Sequence, residues 1–458
     1  MSASDAAVAR LDEAAEDGLA AGPRLWAFAA IAVATFIAVL DGAIANVALP
    51  PITQGFDIRP VDAIWIVNAY QLAVTVLLLP LAKLGEVVGY RRVYLGGLLV
   101  FTLASLACAL SDSLPLLIAS RALQGFGAAG IMSVNIALVR FIVPQALLGR
   151  SLGYVAMIVG VSSAAGPTIA GLILAVAPWQ ALFLLNLPLG ALALLVGWRM
   201  LPRTRGAGGR FDGLGALLSA ATFGLLISGI NGLGHAEGLG LALAQIAAGG
   251  IVGLVFVRSQ LALPAPLLPV DLLKLPVIAL SAVTSILSFG AQAIAFVCLP
   301  FLFHDTLGRS ATETGFLITP WPVATAIAAV VSGRLADRLA AGKLAATGLA
   351  LFSAGLLALA LLPANPSDAD IVWRLVLAGT GFGLFQTPNN KLLIGSAPRE
   401  RSGGAAGVQS TARLLGQSGG TALLAVVFGL VAEGPATFAL VLAAILAGLG
   451  VVPSALRR

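Results

Sequence analysis

The chain has 458 residues, of which 59% are hydrophobic and only 10% charged, with a mean hydropathy of +1.01. An ordinary soluble domain is about 25% charged, so the composition excludes a soluble globular protein and points to one dissolved in a bilayer. The net charge of +6 needs no nucleic-acid partner, because it follows from the placement of basic residues around apolar stretches.

Residues 1–23 are acidic and Ala-rich and are expected to form a short cytosolic tail. The apolar stretch behind them is too long for the h-region of a cleavable signal peptide. A helix needs about 20 apolar residues to cross about 30 Å of hydrocarbon. On that measure spans are predicted at 24–50, 62–84, 93–111, 115–140, 148–177, 180–201, 213–232, 239–258, 277–303, 311–333, 343–362, 370–395, 404–432 and 435–455. They group as a six-helix bundle over 24–201, a linker over 202–276 with two extra spans, and a second six-helix bundle over 277–455. The predicted fold is therefore all-α, with fourteen transmembrane helices. The 53 glycines suit it, since small residues let membrane helices approach closely. Cys108 and Cys298 fall inside apolar spans and read as packing thiols.

Orientation follows from the basic residues, which are retained on the cytoplasmic side. With both termini inside, only Arg59 and Arg309 of the 26 basic residues fall in outer loops and three lie within spans; the rest are on the inner side. An internal repeat is also legible. Ala82-Lys83-Leu84-Gly85-Glu86 resembles Gly333-Arg334-Leu335-Ala336-Asp337, and Arg121 in the fourth span matches Arg374 in the twelfth. Two similar halves imply a central site between them.

Asp41 in the first span is the one deep carboxylate; the other acids lie in the tail, in loops or near span ends. An ionisable group at such depth faces a cavity or a partner, and an acid in a partly dehydrated place can load and release a proton in the physiological range. The alternative is a hydrogen-bonded Asp that stabilises a kink. The inner loop from Gly85 and Glu86 through Gly89 to Arg91 and Arg92 carries charges beside helix ends. It reads either as a gate latch, echoed at Gly333, Arg334, Asp337 and Arg338, or as ordinary cytoplasmic anchoring. Arg121 lies about 9 Å into its span and Asp41 about 14 Å before Pro50, at 1.5 Å per residue. Both are therefore expected in the outer half, where Arg121 could tune Asp41, form a fixed ion pair with it, or bond backbone carbonyls.

Gly160, Gly166, Pro167 and Gly171 in the fifth span suggest a hinge or a sealed helix interface. Asn186 and Pro188 in the sixth suggest a local kink. The interior polar residues of the second half are Gln292, Gln386, Asn389, Asn390 and Arg413, with Arg374 nearer the outer face and no acid among them. With Asn46, Gln71 and Gln124 of the first half, the neutral amides read as a substrate cavity or as interhelical hydrogen bonds. By the repeat, Gln292 falls opposite Asp41. His304 and Asp305 are expected to face solvent in an outer loop. No phosphate-binding loop or His-Glu-x-x-His motif occurs and there are only two His, which argues against an ATP-driven pump, an enzyme or a metal site.

Leu40-Asp41-Gly42-Ala43-Ile44-Ala45-Asn46-Val47-Ala48-Leu49-Pro50 resembles the first-span signature of fourteen-span drug:proton antiporters in the major facilitator superfamily. Arg121-Ala122-Leu123-Gln124-Gly125-Phe126-Gly127 looks like the superfamily's fourth-span motif, and Gly166-Pro167 through Gly171 like the antiporter motif of the fifth. Asn186-Leu187-Pro188-Leu189-Gly190, Gly333 to Arg338 and Arg413-Leu414-Leu415-Gly416 extend the likeness over nearly the whole chain. Ala82, Glu86, Val87 and Tyr90 depart from the inner-loop pattern, which has Gly, Asp, Arg and Arg there. The resemblance implies alternating access, efflux of a lipophilic, often cationic drug or toxic compound, a proton gradient rather than a cofactor as energy source, and a bacterial cytoplasmic membrane. It leaves Asp41 as proton carrier and Arg121 as its tuner. Partners are then the small-molecule substrate, protons and lipid, with the chain expected as a monomer. An exporter of a metabolite, sugar, siderophore or lipid on the same fold, or a non-transporting membrane receptor, remains the alternative.

Overall fold

The structure, a computed structural model, describes residues 18–457 except 205, 207, 209–211, 235–237, 264, 265, 337, 399 and 400. Among the described residues fourteen helical stretches have 20 residues or more: α1 (Ala21–Phe56), α2 (Pro60–Val88), α3 (Tyr90–Ala109), α4 (Leu114–Ile142), α5 (Gln145–Leu174), α6 (Gln180–Met200), α7 (Gly213–Gly232), α8 (Leu239–Leu261), α9 (Pro276–Thr306), α10 (Ala311–Leu335), α11 (Ala341–Ala360), α12 (Asp368–Gly395), α13 (Ser402–Leu430) and α14 (Pro435–Ala455). Thirteen of these are long and apolar enough to cross a membrane. The other, α12, has the length, with 28 residues, but Asp368, Asp370 and Arg374 near its start and Gln386, Asn389, Asn390 and Lys391 near its end lower its apolarity.

The helix starts follow local chemistry. Proline opens α2, α9 and α14 and stands in the first turn of α4, where its missing N–H is not needed. Ser310 and Glu313 form a capping box at the start of α10. Gly89, at φ 101°, separates α2 from α3; this left-handed conformation favours glycine, and a Cβ there would collide with the Thr204 carbonyl.

In the first group of helices α3 packs on α4, α2 on α4, α1 on α5, α1 on α6, and α3 on α6. Each pair recurs eight helices later, as α11 on α12, α10 on α12, α9 on α13, α9 on α14, and α11 on α14. The sequence repeat is thus a repeat of packing. Small residues make it so in both copies: a Cβ on Gly97 of α3 would come within 2.9 Å of the Gly130 backbone of α4, and one on Gly355 of α11 within 2.6 Å of the Ala378 backbone of α12. Helices α7 and α8 pack on each other, and α7 also touches α2 and α13.

The two groups meet through α1 with α9, α5 with α10, and α2 with α13. One hydrophobic cluster joins them near the turns around Asp57, Trp179 and Leu307; it contains Leu49, Ile52, Trp179 and Phe183 with Leu299, Phe303 and Leu317. Toward the opposite end, the core of the first group and that of the second are separate clusters, apart from Leu414 in the former. The molecule is therefore sealed at one end and divided at the end that carries Gly89 and the basic loops.

Candidate functional site

Asp41 on α1 is fully buried, and both of its carboxylate oxygens are engaged. Arg121 on α4 donates from Nη1 to Oδ2 at 2.5 Å. Gln124 and Asn186 each donate to Oδ1 at 2.8 Å. Arg121 also donates from Nε to the Ile66 carbonyl of α2 at 3.1 Å and from Nη1 to the Gln124 Oε1 at 2.6 Å. Ser105 on α3 accepts from Gln124 at 2.8 Å and from Asn186 at 3.3 Å. The helical spacing places Arg121 and Gln124 on one face of α4, and the break in α6 at Leu185 sets Asn186 at the head of the second segment. Five helices thus converge on one carboxylate.

Burying two charges is costly unless hydrogen bonds satisfy both, and here the network does so. The Arg121 guanidinium also lies 4.4 Å from the centroid of the Tyr70 ring, a cation–π distance. Tyr70 is both a partner of this ion pair and a wall of the central cavity. Ala38 and Gly42, which flank Asp41 on α1, line that cavity, while Asp41 does not. The acid sits one side-chain layer behind the wall. Protonating it would remove the negative charge that Arg121 is packed against, so a proton cannot bind there without altering how α1, α4 and α6 hold together.

The cavity has a volume of about 870 Å³, within the range of small-molecule sites. It extends from Asn46 and Val297 toward Gly153 and Asn390, in the direction of the divided end. Of the residues expected to form it, Asn46, Gln71, Gln292, Gln386 and Asn390 line it. Gln124 does not, because its amide is consumed by Asp41, Ser105 and Arg121. Asn389 does not either: it is buried and donates to Ser285 at 2.8 Å, and its Oδ1 accepts from Arg457. The walls are otherwise aromatic and aliphatic, with Tyr70, Phe289, Phe296, Trp321 and Phe382.

The residues expected to gate divide into two kinds. At the sealed end Gly171 of α5 faces Thr312 and Gly315 of α10; a Cβ on Gly171 would stand 2.9 Å from the Thr312 carbonyl oxygen, and Thr312 donates to the Gly171 carbonyl at 3.0 Å. Thr168 and Thr319 bond across the same seam at 2.6 Å. Gly166 abuts Ala43 of α1, Pro167 meets Gly315, and Gly160 lines the cavity. Gly166, Pro167 and Gly171 therefore lie in close helix contacts, whereas Gly160 borders open space. His304, expected in solvent, is partly buried at that end, where Gln54 of α1 donates to it at 2.9 Å.

At the divided end Gly85 packs beside Val134 and Tyr90, and Glu86 pairs with Lys83 on its own helix at 2.6 Å. Arg91 donates to the Trp198 carbonyl, and Arg92 to the Val88 carbonyl at 3.4 Å. Gly333 lies 3.6 Å, by its Cβ position, from Thr387, while Arg334 and Arg338 are exposed. Asp337 lies outside the described residues. Among the described residues no ion pair joins the two loops, and Glu86, Arg91 and Arg92 each bond within the first group of helices.

Three contributors went unassigned in the sequence. The sequence marks Asn186 as a residue of a local kink and hydrogen bond, but not as a partner of Asp41. Ser105 and Tyr70 gave none, being ordinary in a membrane helix. Arg413, which lines the cavity, was noticed without a role.

A family model for the Major Facilitator Superfamily matches residues 31–421. The uncharacterized transporter YebQ of Escherichia coli is 52% identical over 443 residues, covering 96% of this chain and 97% of that one. The multidrug efflux pump LfrA of Mycolicibacterium smegmatis is 32% identical, covering 88% of this chain and 81% of its own. The riboflavin transporter RibZ of Clostridioides difficile is 28% identical over 87% of each chain. In shape, the chain resembles an inward-facing bacterial homologue of the lysosomal transporter Spinster, with a TM-score of 0.69 over 96% of this chain and 98% of that one, at 14% identity. With a matching model over most of its length and relatives that include multidrug efflux pumps, the chain belongs to the Major Facilitator Superfamily of membrane transporters.

Proposed function

We propose that the protein is a proton-coupled exporter of small amphipathic compounds that works by alternating access. The observation that carries this reading is the Asp41 network: an acid that is fully buried among the helices, one layer from the cavity, and bonded from α1 to Arg121 and Gln124 of α4 and Asn186 of α6. In this reading all fourteen helices span the cytoplasmic membrane with both termini inside, residues 24–201 and 277–455 are the two moving bundles, and residues 202–276 carry the two added spans. The structure then represents the inward-open state, sealed on the outer side by the α5–α10 seam.

In the outward-open state Asp41 accepts a proton, Arg121 loses its counter-ion, and the freed cation perturbs the Tyr70 wall so that substrate leaves. The halves then rock, Asp41 releases its proton inside, and the ion pair re-forms around the next substrate. Each proton supplies about 2.3 kcal/mol per 100 mV of membrane potential, plus the pH difference. A metabolite is the second candidate cargo, favoured by the neutral amides of Asn46, Gln71, Gln292, Gln386 and Asn390, which suit a polar uncharged group, and by the likeness to a protein described as a riboflavin transporter.

The test is substrate-dependent proton movement in vesicles containing the purified chain and an internal pH dye, with neutral, acidic and basic aromatic compounds as cargo. Wild type should couple at least one compound to proton flux, and Asp41→Asn should lose the proton flux while remaining monodisperse. Equal proton flux in Asp41→Asn would remove Asp41 from the role.

A further inference from the structure

The charge of the cavity is one-sided. Arg413 is the one charged side chain among the described residues that line it, and it takes part in no hydrogen bond or ion pair among them. The two buried arginines among the described residues are both engaged, Arg121 by Asp41 and Arg457 by Ser281, Ser454 and Asn389, and the partly exposed Arg374 pairs with Asp370. An ionised group at membrane depth is expensive and needs a partner or a hydrated cavity. No acid can supply that partner locally. Helix α13 has neither Asp nor Glu, and neither do the Pro276–Phe301 part of α9 and the Pro320–Leu335 part of α10 that form the cavity wall with it. Asp41, behind the wall, is already saturated.

Arg413 is also placed to be met by a ligand. Gln417 and Thr421 follow it at intervals of four on the same face of α13, and both line the cavity. Phe289, Phe296 and Trp321 line the same cavity, and the Oδ1 of Asn390 has no donor among the described residues. The site therefore offers a fixed cation, aromatic surface, and neutral groups of both hydrogen-bonding kinds.

We propose that the cargo is an organic acid with an aromatic or aliphatic body, whose carboxylate is received by Arg413. The planar guanidinium fork matches a carboxylate with two parallel hydrogen bonds, and the apolar walls take the body. A lipophilic cation, the charge class the sequence resemblance favours, would meet repulsion and no counter-ion. This inference rests on the exporter reading for its setting. Outward movement of an anion and inward movement of a proton carry charge in the same sense, so an inside-negative potential drives both.

Equilibrium binding separates this proposal from the coupling scheme, because it needs neither a gradient nor Asp41. The probes are naphthalene-1-acetate, its primary amide, and 1-naphthylmethylammonium, titrated calorimetrically into the full chain in lipid nanodiscs. Wild type should bind the carboxylate at least about tenfold more tightly than the amide or the ammonium, a difference of about 1.4 kcal/mol. Arg413→Gln should erase that preference while keeping its affinity for the amide, which shows that the variant is folded, and Arg413→Lys should retain part of it. Equal or tighter binding of the amide or the ammonium by wild type, no carboxylate binding at millimolar concentration, or an unchanged preference in Arg413→Gln would each overturn the proposal. Loss of proton flux in Asp41→Asn with carboxylate binding intact would leave it standing.

Discussion

Asp41 and Gln292 occupy matching places in the two halves, as do Arg121 and Arg374, yet the two regions do different work. In the first half the arginine reaches from α4 to an acid on α1 and the network extends to α2, α3 and α6. In the second half Arg374 pairs with Asp370 one turn earlier on its own helix and donates to the Ala358 carbonyl of α11, while Gln292 opens onto the cavity. A charge pair within one helix holds nothing else together, whereas a pair between helices makes their packing depend on protonation. One scaffold, used twice, thus puts an acid bonded across helices in the first bundle and the cavity-lining cation Arg413 in the second.

The contrast can be broken most sharply at the arginines. Arg121→Ala leaves the fully buried Asp41 without its cation and should cost about 3–5 kcal/mol of stability, read as a large fall in the unfolding temperature of the detergent-purified protein. Retention of wild-type stability would show that the network is not held by charge. Asn186→Ala removes one donor from an ionised acceptor and should cost about 1.5–3 kcal/mol. The same substitution should weaken proton-driven transport without altering binding of an uncharged cargo, since Asn186 does not line the cavity. The smallest effect belongs to Arg374→Ala: its pair with Asp370 is partly exposed at the start of α12, so the change should stay below about 1 kcal/mol. A loss there as large as that of Arg121→Ala would mean that the two halves share the electrostatic load, and the comparison would fail.

Much of the architecture could be read without coordinates, because a membrane leaves few choices. Apolar runs of about 20 residues must be helices when no water is present to satisfy the backbone, and the 53 glycines suit helices that approach closely. The single deep acid was equally legible, since a carboxylate amid apolar residues stands out by type alone. Helix α12 is the harder case: its polar residues make it long enough to span yet insufficiently apolar by hydropathy. They are tolerated because its inner face is turned to neighbours, where Asn389 is buried against Ser285 and Arg457.

Which amides face a cavity and which face another side chain could not be read from residue type. Gln124 and Gln71 are chemically the same, yet one is locked against Asp41 and the other lines the space where cargo would sit. The difference lies in helix rotation and in contacts 80 to 145 residues apart in the chain, as for Asp41 with Arg121 and Asn186. The sequence by itself determined the placement of the apolar helices, the repeat and the position of Asp41, because hydropathy and residue type are local properties. The tertiary structure alone decided that this acid is sealed behind Tyr70, that the seam between α5 and α10 is closed, and that Arg413 lines the cavity with no partner among the described residues. Each of these depends on how distant helices are turned toward one another, and no single segment encodes that.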